Sequence, residues 1–149
     1  MKKYHFPLET VLNYRRHLED KEKQLLASMR VFYDHERQRL TDVEAEQGRI
    51  REELAVLMTA PFMHVETEPY LAYLRRLLKI IQLKRAQLDR LKTQLAKQNE
   101  MVTHAYKNRR VLERLEAKLR ETHQLAYEKE EQRFVDELQL AKFIDRRRP

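Results

Sequence analysis

Between Leu8 and Met58 the chain contains no proline, and between Tyr70 and Asp145 it contains neither proline nor glycine. Runs of that length without a helix breaker suit few folds. Turns in sheet-containing domains draw on glycine and proline for backbone angles that other residues adopt at a cost. Here a single glycine, Gly48, and four prolines, Pro7, Pro61, Pro69 and Pro149, serve 149 residues. An α/β or all-β fold is therefore excluded, and an all-α chain follows. Gly48 costs about 1 kcal/mol relative to alanine inside a helix, which a long packed helix absorbs. The stretch from Thr59 to Pro69 (TAPFMHVETEP) is the sole interruption, because each proline disfavours helix in the residue before it. It separates a first helix at about residues 8–58 from a second at about 69–145, with 59–68 connecting them and 146–149 as a basic tail. Thr67 is placed to cap the second helix with Pro69 in its first turn.

Both helices carry seven-residue repeats. In the first, Val11, Leu18, Leu25 and Phe32 recur, with Leu8 and Met29 on the neighbouring row. The pattern then shifts by four near Glu36 to Leu40, Val43, Gln47, Ile50, Leu54 and Leu57, which predicts a stutter. In the second, Leu74, Ile81, Leu88, Leu95 and Val102 form one row, and Leu77, Leu91, Ala105 and Leu112 the other. Lys84, Gln98 and Arg109 are polar interruptions, of the kind that set register at some cost in stability. Two such stripes joined by a short break bury each other by folding back. The expected architecture is an antiparallel two-helix coiled-coil hairpin in which the longer C-terminal helix overhangs, by roughly 35–40 Å at 1.5 Å per residue. Phe134, Leu138 and Phe143 fall in that overhang with no partner in the chain, so an external one is expected.

Charged residues are 37% of the chain and hydrophobic ones 42%, a mixture that fits solvated helices. Disulfides, thiolate chemistry and cysteine metal sites are excluded by the absence of cysteine. The six histidines are scattered and no two lie three or four apart, so no metal site is expected. One glycine is too few for a phosphate-binding loop. A two-helix hairpin also offers no concave, water-excluding pocket, so no catalytic residues and no cofactor are assigned. No stretch reaches the apolar length of a membrane span, and the first residues lack a signal-peptide apolar region. A cytoplasmic protein is expected.

Residues 69–110 contain 11 bases against two acids, Asp89 and Glu100, whereas residues 1–60 are balanced. This basic band suits an acidic protein partner, a solvated face or nucleic acid. Nucleic-acid binding has less support, because no surface aromatic series is present to stack on bases. Tyr73, Leu77, Ile80 and Lys84 fall along one strip of the second helix, through packing or as a partner-binding face.

The first segment, YHFPLETVLNYRRHLEDKEKQLLASM, and the last, KNRRVLERLEAKLRETHQLAYEKEEQRFVDELQLAKF, together resemble the FliJ family of bacterial flagellar export proteins. The resemblance rests on Phe6, Leu8, Val11, Leu12 and Arg15 at one end and on Leu112, Leu115, Asp136 and Glu137 at the other. It implies a non-enzymatic component of the flagellar type III export apparatus, peripherally associated with the inner membrane at the flagellar base. The implied role is the central stalk of the hexameric export ATPase, touching the cytoplasmic domain of the export gate protein FlhA and serving as a general chaperone or escort, with export chaperones as further partners. The family's gate-binding strip aligns with Tyr73, Leu77, Ile80 and Lys84, the last two departing from its pattern. For the ATPase-facing tip the expected residues are Leu8, Leu12, Phe134, Leu138, Phe143, Arg146, Arg147 and Arg148. The stalk protein of a virulence type III system shares the architecture and is an alternative, as is a basic coiled coil that binds nucleic acid.

Overall fold

The computed structural model describes residues 3–59 and 67–147. Two helices make up nearly all of it, α1 (Glu9–Thr59) and α2 (Glu68–Arg146). They pack against each other as the expected all-α antiparallel hairpin. The connecting residues 60–66 and the tail residues 148 and 149 lie outside the described residues. At the start of α1 the Phe6 carbonyl accepts the Glu9 N–H at 3.2 Å, and Glu9 meets the positive end of the helix dipole. Thr67 directly precedes α2, its carbonyl accepting the Leu71 N–H at 3.0 Å, and Pro69 falls in the first turn, where its missing N–H is harmless.

The described residues divide into two compact units, one formed by residues 3–20 with 104–147 and the other by 21–59 with 67–103. In the second unit the seam on α2 follows the expected rows: Leu77, Ile81, Leu88 and Gln98 are buried, and Leu74, Lys84, Leu91 and Leu95 are half-buried. The facing seam on α1 runs through Leu26, Met29, Tyr33, Glu36, Leu40, Val43, Gln47, Ile50, Leu54 and Leu57, in alternating steps of three and four. Polar bonds across the seam fix the antiparallel register. Gln98 donates to the Glu22 backbone carbonyl at 3.1 Å, Lys84 to Glu36 at 3.4 Å, Arg85 to Glu44 at 2.9 Å, and the Tyr73 hydroxyl to Glu46 at 3.3 Å.

Two expectations for α1 need correction. The seam passes Glu36 without a stutter, and the row of Val11, Leu25 and Phe32 lies outside it, with Phe32 47% exposed. The cause is chemical. The α1 seam contains three acids, Glu19, Glu22 and Glu36, and the interruptions of the α2 rows, Arg109, Gln98 and Lys84, are the groups that face them. An acid opposite a base or an amide can occupy a buried position that hydropathy alone reserves for leucine.

In the first unit Leu12 is 1% exposed, and Glu19 is buried with its carboxylate bonded to Arg109. Arg109 also reaches Glu113 at 2.7 Å, and Arg16 approaches the same carboxylate at 3.6 Å. Phe6 is buried ahead of the helix, and the Tyr4 ring lies 5.3 Å from that of His123. The cover of α2 ends there. From residue 128 to residue 147 every residue of α2 and its end is exposed, a stretch of about 28 Å at 1.5 Å per residue.

Candidate partner-binding surfaces

Among the described residues no group of three or more His, Asp and Glu side chains could hold a metal ion, and no helix is long and apolar enough to cross a membrane. The structure separates the four residues of the expected gate-binding strip. Tyr73 is 38% exposed at the edge of the seam, with its hydroxyl on Glu46. Ile80 is half-buried beside it. Leu77 is buried in the seam, and the Lys84 ammonium turns inward onto Glu36. Leu77 and Lys84 thus stabilise the hairpin, and neither presents the free side chain that a docking anchor or a steering charge requires. Spacing along α2 could not separate the two possibilities, because the seam and the strip share these positions.

The expected tip divides in the same way. Leu12 is part of the core and unavailable to a partner, because its side chain fills the space between α1 and α2. Leu8 is partly exposed, and Phe134, Leu138 and Phe143 are all largely exposed. Arg146 closes the last turn of α2, where a cation complements the negative end of the helix dipole. The Arg147 guanidinium lies over the Phe143 ring at 4.6 Å, and Arg148 is outside the described residues. Val135, Leu140 and Ile144 add to the exposed apolar surface of the same stretch, and attention to sevenfold spacing alone passes over them.

Electrostatics in the paired part of the first unit is dominated by one cluster. Glu113 is held below its usual 4.5 chiefly by the hydrogen bond from Arg109, with Arg110 adding to the effect. Arg109 is pushed up by its bonds to Glu19 and then Glu113, so it stays charged throughout the accessible range. A permanently charged, multiply bonded arginine here is structural. It ties α1 to α2 at Glu19, inside the paired stretch.

The arrangement thus consists of a hairpin with a polar-keyed seam and a long uncovered end on α2. The model of the family described as "Flagellar FliJ protein" matches residues 4–148 of this chain. The chain belongs to the FliJ family. That makes it a protein associated with flagellar type III export, in a family of non-enzymatic components. No curated protein and no solved structure matches the chain. The family's N-terminal motif now has a physical reading. Phe6 and Leu12 of that motif are core residues that hold the start of α1 against α2, whereas Leu8 and Val11 of the same motif are exposed.

Proposed function

We propose that the chain acts as the central stalk of the hexameric flagellar export ATPase, contacts the cytoplasmic domain of the gate protein FlhA, and serves as a chaperone or escort in export. The observation that carries the reading is the uncovered end of α2. Its large apolar side chains, Phe134, Leu138 and Phe143 among them, have no cover among the described residues. Burying each such side chain is worth very roughly 1.5–3 kcal/mol, and a ring that encloses a helix covers all sides of it at once. A helix without a pocket supplies no chemistry of its own. What it supplies is a rigid apolar surface on which a catalytic partner closes.

Gate contact in this reading falls on residues free to make it, Tyr73 and Ile80, with Leu77 and Lys84 acting by shaping the seam beneath them. The test is ATP hydrolysis by the export ATPase in the presence of the full chain or of the double variant Phe134→Asp, Leu138→Asp. Both side chains are exposed, so the variant keeps the helical spectrum of the native chain. Loss of ATPase stimulation with unchanged helicity supports the stalk role. Full stimulation by the variant refutes it.

A further inference from the structure

The second unit has two unlike flanks. The Arg85–Glu44 pair marks one and the Tyr73–Glu46 bond the other. Residues seven apart share a row, so the row of Glu46 continues on α1 to Arg39, Phe32 and Leu25. On α2 the row just outside that of Tyr73 runs through Arg76, Leu83, Arg90 and Lys97. Along residues 21–39 of α1 and 76–97 of α2 the rows on this flank contain no acid. Leu25, Phe32 and Leu83 are exposed there, Leu83 by 63%. Arg76, Arg90 and Lys97 form no ion pair among the described residues. The flank is an apolar line edged with unpaired cations, about 32 Å long from Arg76 to Lys97. Leu25 and Phe32 stand one heptad apart, the spacing that receives another helix, and Leu83 joins them from α2.

The uncovered end of α2 is its counterpart. Tyr127, Phe134, Leu138 and Ala141 fall on one side of the helix at steps of seven, four and three. Glu130 and Glu137 border one edge of that stripe and Glu131 the other, and none of the three has an ion pair among the described residues. The flank is a cation-edged apolar line and the end of α2 carries a mainly acid-edged apolar stripe, with Lys142 on the same edge as Glu131. The two faces are complementary in sign, although residues 128–147 as a whole hold six acids and five bases.

We infer that the chain self-associates, the acid-edged apolar stripe at the end of α2 of one copy lying along the basic flank of the hairpin unit of a second copy. The pairing is heterologous, because two different surfaces meet, so each copy offers one of each. It also occupies Phe134 and Leu138, and a self-associated copy cannot seat that end in any other partner. Association thereby regulates access to the tip. A membrane surface is a poorer fit, because apolar side chains in a line between two helices suit a helix better than a plane.

Sedimentation velocity on the full chain over about 1–300 μM, the range in which small transient interfaces form, tests this. The expected result is a weight-average mass that rises from 18.3 kDa with concentration. Raising NaCl from about 0.05 M to 0.5 M should weaken association about tenfold or more. Arg90→Glu with Lys97→Glu should abolish the rise, and so should Glu130→Lys with Glu137→Lys. An equimolar mixture of the two variants should associate again, because the reversed flank of one fits the reversed end of the other. A chain that stays monomeric overturns the inference, even if it captures a foreign acidic helix. Association that survives both reversals, or fails to return in the mixture, also overturns it.

Discussion

Replacing Arg109 with methionine should destabilise the hairpin far more than replacing Glu19, although the two groups share a bond. Glu19 is 2% exposed, whereas the Arg109 side chain keeps 19% of its surface in water. At hydrogen-bond distance and an effective dielectric of about 20, the gross attraction is about 5 kcal/mol, most of which offsets the cost of desolvating the carboxylate. Arg109→Met leaves a buried carboxylate without its main counter-charge, a change that typically costs about 3–5 kcal/mol. Glu19 has a further contact and Glu113 keeps Arg110 at 3.1 Å, so a value at or just below the bottom of that range, about 2–3 kcal/mol, is expected here. For a chain of this length that lowers the thermal midpoint by about 5–10 °C. Glu19→Met leaves Arg109 bonded to Glu113 and partly hydrated, so about 1 kcal/mol or less is expected. The double replacement should recover most of the loss, since an apolar pair of similar volume in such a position is often neutral or stabilising. Urea unfolding followed at 222 nm at pH 7 gives all three values and closes a double-mutant cycle. Equal costs for the two single variants, adding without coupling in the double one, would refute the argument that a buried acid is held at this position by its base.

The seam itself separates residues of similar hydropathy: Ile81→Ala should cost about 2–4 kcal/mol because Ile81 is 2% exposed, whereas Phe32→Ala should cost about 0.5 kcal/mol or less. A larger loss at Phe32 than at Ile81 would mean the α1 rows are misplaced. Gly48→Ala should stabilise by about 1 kcal/mol, since an added Cβ meets nothing within 4 Å and the helical backbone already suits alanine. A lower unfolding midpoint for this variant would contradict it. Acid should weaken the hairpin: Glu113 is held below 4.5 by its bond from Arg109, and Glu46 by its bonds from Arg49 and Tyr73. Both folded-state values lie below those of the unfolded chain, so their contribution is complete above about pH 4.5 and is lost as pH falls through the lowered values. The midpoint should stay level between pH 7 and 5 and drop below that, and a midpoint that rises on acidification would count against these pairs.

Much of this architecture is legible without coordinates, and for a specific reason. On α2 the buried rows are nearly all leucine and isoleucine, so Leu77, Ile81 and Leu88 reveal their face through hydropathy alone. The end of α1 at Thr59, the start of α2 at Glu68 and the excess length of α2 follow from proline placement in the same way. On α1 hydropathy points to the wrong row, because the seam accepts Glu19, Glu22 and Glu36 while Leu25 and Phe32 stay in water. Only the identity of the facing residue explains a buried glutamate, and that depends on the register between the two helices. The candidate surfaces divide along the same line. Exposure of Phe134 and Leu138 follows from counting residues of α2 past the start of α1, whereas the inward turn of Leu77 and Lys84 depends on pairing that one helix does not encode by itself.

The proposed role of the uncovered end as an ATPase-facing tip is tested most directly by site-specific photo-crosslinking. A photoreactive residue is placed at Phe134, Leu138 or Phe143 in turn, and at Val31, which is 70% exposed on α1 away from that end. Each variant is irradiated with the assembled export ATPase. Crosslinks from the three α2 positions to the ATPase, and none from position 31, are the predicted result. An ATPase crosslink from position 31 with none from 134, 138 or 143 would contradict the stalk role.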